Sequence, residues 1–189
     1  LGPYEKHDLN YKVIMKFAEQ SLRTLALAYR EFREDPSALS DDDLEKNLTL
    51  MGVMGMQDPL RPEVKEAVRK CMAAGITVRM VTGDNMITAC SIAKQCGILD
   101  SNFDLGEVMS PNRKIENYKI MEGHTFREMV GGIVYEKSDE ESEGKQGVGK
   151  VANFEKFKEI AKELKVLARS SSRDKYMLVA GLIQMGNVV

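Results

Sequence analysis

Two short stretches combine residue types that can handle a phosphoryl group. Thr82, Gly83, Asp84 and Asn85 place a hydroxyl, a residue without Cβ and a carboxylate just ahead of a run with helical periodicity. Backbone N–H groups at such a helix start would face the same space as the threonine hydroxyl, which suits an anion. The second stretch is Arg169, Ser170, Ser171, Ser172, Arg173, Asp174 and Lys175. An ammonium held in the first turn of a helix can neutralise a phosphate or a phosphorylated carboxylate. Each stretch also has a plainer reading. Thr82 or Asp84 can simply cap a helix, and Ser172 can be an N-cap with Lys175 a solvated surface lysine.

Other chemistry-bearing residues offer less. Asp58 and Arg61 can pair across a turn, an arrangement worth roughly 0 to 1 kcal/mol at a surface. His7 and His124 stand alone and form no ligand set, so no metal site is expected. The twelve methionines are scattered through core-facing positions and read as packing filler.

Composition narrows the field further. The chain of 189 residues carries 27 Lys and Arg against 29 Asp and Glu, a formal charge of −2. That balance creates no field to gather nucleic acid, which is not an expected partner. The longest apolar runs, around residues 24–29 and 48–56, fall far short of the ~18 needed to span a bilayer. Three cysteines, Cys71, Cys90 and Cys96, are an odd number without metal-type spacing, which fits a reducing, cytosol-facing environment. Leu1 is no initiator methionine, and the sequence reads as a fragment.

The elements that must position the two loops are legible by period. Residues 11–22 keep near-helical spacing, and residues 24–32 then turn strand-like, with Arg23 at the junction. Pro36 breaks the pattern, and Ser40 with Asp43 resembles a capping box for a short helix. A second strand is expected at residues 48–56, and two prolines, Pro59 and Pro62, stiffen the chain after it into a hinge. Val64, Ala67, Val68, Cys71 and Met72 mark a helix stopped by Gly75, with a strand next at residues 76–81. Met86, Ala89, Cys90 and Ala93 mark the next helix, ending at Gly97. Residues 103–151 are the least regular, and an acidic, Gly-containing run near 136–150 reads as a mobile surface insertion. Phe154, Phe157, Ala161 and Leu164 share one helical face, a strand comes at residues 166–168, and Lys175 falls in the first turn of a last helix. Gly186 would cap it, and Val188 and Val189 would open a buried strand. Alternation of this kind predicts a parallel sheet, with ligands bound beyond the carboxyl ends of its strands.

With the loops aligned, the chain resembles P-type cation pumps, most closely plasma-membrane-type calcium ATPases. The likeness rests on LRTLALAY (22–29), GMQDPLRPEV (55–64), AGITVRMVTGDN (74–85), AKQCGI (93–98) and VLARSSSRDK (166–175), in the family's order, and weakens between residues 100 and 152. It implies that residues 1–57 are the C-terminal part of an α+β nucleotide-binding domain with a mainly antiparallel sheet. Residues 58–189 would then be an incomplete phosphorylation domain, α/β and haloacid-dehalogenase-like, with helices flanking a parallel sheet. By the same resemblance Arg23 and Arg169 match arginines that contact ATP, and Thr82, Gly83 and Asp84 match the loop meeting the transferred phosphoryl group. Lys175 matches the lysine that stabilises a phosphorylated aspartate, while Asp58 and Arg61 match hinge residues.

The resemblance further implies ATP and Mg2+ as cofactors, calcium as the transported ion of the parent, and partners in the pump's remaining domains and membrane helices. The place would be the cytosolic face of a plasma membrane or of a calcium-storing organelle. The family's nucleophilic Asp-Lys-Thr-Gly motif does not occur in the chain, nor does Gly-Asp-Gly followed by Asn-Asp. Those aspartates hold the magnesium and accept the phosphoryl group, so the chain alone is expected to be inactive. Two other functions stand beside this one. A soluble dehalogenase-type phosphatase would share the loops around Thr82 and Lys175, but it needs an aspartate after a first strand, and Asp41, Asp42 and Asp43 precede a helix instead. A non-catalytic interaction module would work through the acidic residues 136–143.

Overall fold

A computed structural model describes residues 2–33, 35–57, 59–104, 106, 108, 118–135 and 149–189. The chain divides into two compact units, Leu1–Pro59 and Leu60–Val189.

In the first unit, helix α1 (Pro3–Leu9) runs through a π-helical segment, Asn10–Ile14, into α2 (Met15–Glu19). Strand β1 (Leu22–Tyr29) pairs antiparallel with β2 (Thr49–Gln57), from Leu22 opposite Gln57 to Tyr29 opposite Thr49. The register shifts between Leu27 and Ala28, a bulge that bends the ribbon. Between the strands lies the short α3 (Asp41–Leu44), where the Ser40 Oγ accepts the Asp43 N–H at 3.2 Å as its spacing predicts. Arg30 Nη1 donates to the carbonyls of Asp43 and Lys46, tying the end of that turn back to the strand. Arg23, expected at a junction, is the second residue of β1, opposite Met56.

The second unit is a parallel sheet with helices on both faces. In chain order it contains α4 (Val64–Ala73), β3 (Met80–Val81), α5 (Met86–Cys96), β4 (Ile120–Glu122), α6 (Gly123–Val130), β5 (Ile133–Tyr135), β6 (Gly149–Val151), α7 (Phe154–Glu163), β7 (Val166–Ala168) and α8 (Ser172–Gln184). The sheet order is β3-β7-β4, all parallel, while β5 and β6 form a separate antiparallel pair.

Side-chain alternation along β7 explains the layers. Leu167 points into a cluster with Phe126 of α6, Phe157, Ile160 and Leu164 around α7, and Met177 of α8. Val166 and Ala168 point the other way, to Val68 of α4 and Ala89, Cys90 and Ala93 of α5. Period two along a strand buried on both faces requires this continuous apolar run. Phe126 and Phe157 meet edge to face with centroids 6.2 Å apart, and burying each contributes about 1.5 to 3 kcal/mol. All three cysteines are free, and burial pushes the Cys96 thiol up.

Several expectations need correction. Residues 76–79 are not in a ladder, because β3 meets β7 only from Met80, whose N–H donates to the Lys165 carbonyl at 2.8 Å. Part of the stretch read as irregular, residues 103–151, contains β4, α6, β5 and β6, and β4 supplies the third strand of the sheet. Gly149 and Lys150, read as insertion, belong to β6; the rest of that run, residues 136–148, lies outside the described residues. Val188 and Val189 are exposed rather than in a buried strand, since none of the described strands pairs with them. Among the described residues no helix is long and apolar enough to cross a membrane.

Gly181 lies mid-helix in α8, and a Cβ there would stand 2.3 Å from the Phe157 ring. Gly181→Ala should therefore lower stability by about 1 to 3 kcal/mol through overpacking, despite alanine's better helix propensity. Urea denaturation followed by far-ultraviolet circular dichroism measures this; an unchanged or raised midpoint would contradict the packing.

Candidate functional site at the carboxyl edge of the parallel sheet

Strands β3 and β7 are parallel neighbours, Met80 beside Val166 and Val81 beside Leu167, so both emerge at the same edge of the sheet. Beyond the strands the backbones remain joined. The Thr82 N–H donates to the Leu167 carbonyl at 3.0 Å, and the Ser170 N–H and Oγ–H both donate to the Thr82 carbonyl at 2.9 Å. The Arg169 N–H donates to the Asp84 carbonyl at 2.9 Å. The two stretches singled out by residue type are thus one hydrogen-bonded assembly.

Within the first loop, Thr82 Oγ1 donates to Asp84 Oδ2 at 2.8 Å and accepts the Asp84 N–H at 3.1 Å. Such a side-chain turn fixes the loop locally. Neither residue caps α5. That role falls to Asn85, whose Oδ1 accepts the Thr88 N–H at 3.0 Å. Gly83 is exposed, and a Cβ there would be 3.8 Å from the Ser170 carbonyl, an ordinary contact. The fold itself does not demand glycine at this position, so the missing Cβ leaves room facing solvent.

In the second loop the cap of α8 is Ser171 rather than Ser172. Its Oγ accepts the Asp174 N–H, while Asp174 Oδ2 accepts the Ser171 N–H at 2.7 Å. This reciprocal box satisfies two helix-end donors. Lys175 comes next in the first turn, its N–H donating to the Ser171 carbonyl and its side chain exposed. Arg169 has φ of +43°, a conformation that costs a non-glycine residue of order 1 to 3 kcal/mol. Its Nε lies 3.6 Å from Glu122 Oε1 at the end of β4.

Two helix starts, an exposed lysine and an arginine at one sheet edge make a setting for an anionic oxygen cluster. Asp84 is the carboxylate within the first loop, and among the described residues no group of three or more His, Cys, Asp or Glu converges as a metal ion requires. The donor set fits a phosphate, and the described residues supply no cage for magnesium. Arg23 belongs to the other unit, Arg61 is exposed, and Asp58 lies outside the described residues.

A family model for P-type ATPase, cytoplasmic domain N, matches residues 4–63. The chain is 41% identical over 187 residues to calcium-transporting ATPase 2 of Cryptococcus neoformans, covering 94% of this chain and 10% of that protein. It is 37% identical over 183 residues to human plasma membrane calcium-transporting ATPase 3, and 38% over 184 residues to plasma membrane calcium-transporting ATPase 1 of mouse. Each of these two alignments covers 96% of this chain and 13% of the relative.

The chain belongs to the P-type ATPase family. It spans about a tenth of the length of these relatives.

Sequence reasoning about this P-type ATPase chain missed Glu122, Gly123 and Arg127. Glu122 faces Arg169, and Arg127 Nη1 donates to Asp174 Oδ2 across 47 positions. Gly123 opens α6 where a Cβ would fall 2.7 Å from Asp174 Oδ2 and 3.0 Å from the Arg169 carbonyl. Nothing local in the sequence marked these contacts beyond the glycine itself. Gly123→Ala should displace the second loop and cost about 1 to 3 kcal/mol. Hydrogen exchange at the Ser170 amide is expected to accelerate; unaltered exchange and stability would show that the close approach does not constrain the loop.

Proposed function

We propose that this chain is a cytosolic portion of an ATP-driven calcium pump, binding ATP and positioning its γ-phosphoryl group for transfer to an aspartate outside the given sequence. The observation that carries this reading is the bonding of the Thr82–Gly83–Asp84 loop to the Arg169–Ser170 loop at one sheet edge. Relatives named calcium-transporting ATPases support the choice of reaction and ion.

In this reading residues 1–57 end a nucleotide-binding domain and supply Arg23 to the ATP phosphates. Residues 58–189 are part of a haloacid-dehalogenase-like phosphorylation domain, joined through a hinge at Asp58 and Arg61. Arg169 steadies the nucleotide. Thr82, with the amides around Gly83, holds the equatorial oxygens of the moving phosphoryl group, and the Lys175 ammonium offsets charge on the phosphorylated acceptor. Phosphoryl transfer needs positioning and charge neutralisation more than covalent help, and these residues offer hydroxyl, amide, guanidinium and ammonium groups for it. Magnesium would offset the negative charge of the phosphates, with Asp84 the carboxylate that the first loop could offer it and most ligands elsewhere in the parent. Closure of the two domains would link the site to calcium-binding helices in a membrane, with this portion on the cytosolic face.

Titration of the 15N-labelled chain with Mg-ATP should move amide resonances of Arg23, residues 82–84 and residues 169–175. Shifts confined to other regions would defeat the site. Incubation with ATP labelled at the γ-position should leave no covalent label on the chain; acid-stable, base-labile label would mean that the acceptor lies within these residues.

A further inference from the structure

We propose that Arg127 is a positioning residue for Lys175, acting through the carboxylate of Asp174; its link to phosphate capture rests on the phosphate reading given above.

Asp174 is fully buried in the first turn of α8, directly before Lys175. Three donors converge on its Oδ2: the Ser171 N–H at 2.7 Å, the Ser171 Oγ–H at 2.8 Å and Arg127 Nη1. Its Oδ1 is buried with no donor among the described residues. A buried carboxylate with one bare oxygen depends heavily on a cation at the other, because unpaired buried charge costs several kcal/mol. Arg127 is that cation, with its side chain 34% exposed and reaching from α6. Ser171 belongs to α8 itself, so its bonds fix the shape of the first turn. Arg127 belongs to another helix, so its bond fixes where that turn sits relative to the β4–α6 corner.

The consequence for Lys175 is one of charge. With Arg127 in place, Asp174 is neutralised from the inside and the exposed ammonium next to it stays available to an incoming phosphate. With Arg127 removed, the carboxylate loses its buried cation and leaves its pocket, unwinding the first turn that carries Lys175. That withdraws the ammonium from phosphate.

The test uses the full 189-residue chain with its lysine Cε signals observed by NMR, Lys175 being assigned by its loss in Lys175→Arg. Inorganic phosphate is the probe. Arg127→Gln should weaken the phosphate response of Lys175 by about tenfold or more, the range for losing a charged hydrogen bond. Arg127→Lys, which keeps the cation, should stay within about twofold of the parent, and so should Arg127→Gln with Asp174→Asn, which leaves no buried charge unpaired. Should Arg127→Gln alone fail to fold, that double variant is read in its place. A double variant as weak as the single one, or Arg127→Lys as weak as Arg127→Gln, overturns the proposal.

The Ser171 and Asp174 amides report without ligand: Arg127→Gln should shift them and speed their exchange, and Arg127→Lys should not. Amide changes with no phosphate response in the parent chain would remove the phosphate reading and keep the positioning role. Unchanged amides in Arg127→Gln would remove the positioning role itself.

Discussion

Everything at this sheet edge depends on backbone hydrogen bonds that continue after the strands have ended. β3 and β7 share only a two-residue register, too little to hold two loops in place. The bonds from Ser170 to the Thr82 carbonyl and from Arg169 to the Asp84 carbonyl extend the ladder into the loops and turn two flexible connections into one surface. Each such bond contributes only about 0.5 to 1.5 kcal/mol net, but buried carbonyls left without them would cost more. The positive φ of Arg169 is the accompanying strain, tolerated because its own N–H is one of these donors.

A second layer of control comes from the strand on the far side of β7. Of β4 and α6 the sequence marks only the isolated His124, yet Glu122 faces Arg169, Gly123 admits the loop, and Arg127 anchors Asp174. The site is therefore supported from a region that touches neither candidate phosphate loop in sequence. Surface ion pairs such as Lys156 with Glu159 contribute little by comparison, being solvent-screened.

Much of this was readable in the sequence because the helices are strongly periodic. Val64, Val68, Cys71 and the Ala89, Cys90, Ala93 set predicted both flanking helices and their stops, and Gly97 does adopt the left-handed cap. Short elements were not readable. Ile120–Glu122 is too brief for a period to declare itself, and α6 begins at Gly123 without a side-chain cap, so the usual start signal is missing. The caps of α5 and α8 were each misplaced by a residue or more, at Thr82 or Asp84 instead of Asn85 and at Ser172 instead of Ser171. Runs of polar residues offer several caps at once, and only tertiary bonding selects among them. The Arg127 and Asp174 pair has no local signature, since its partners are brought together by packing alone.

The left-handed turn at Arg169 has a mechanical side. Reversing the chain in one residue leaves only Arg169 and Ser170 between the last strand residue, Ala168, and the cap of α8 at Ser171. Both are clamped to the neighbouring loop. There is no slack in that span. A tilt of α8 must drag Thr82 with it, so the helix and the threonine corner behave as one lever.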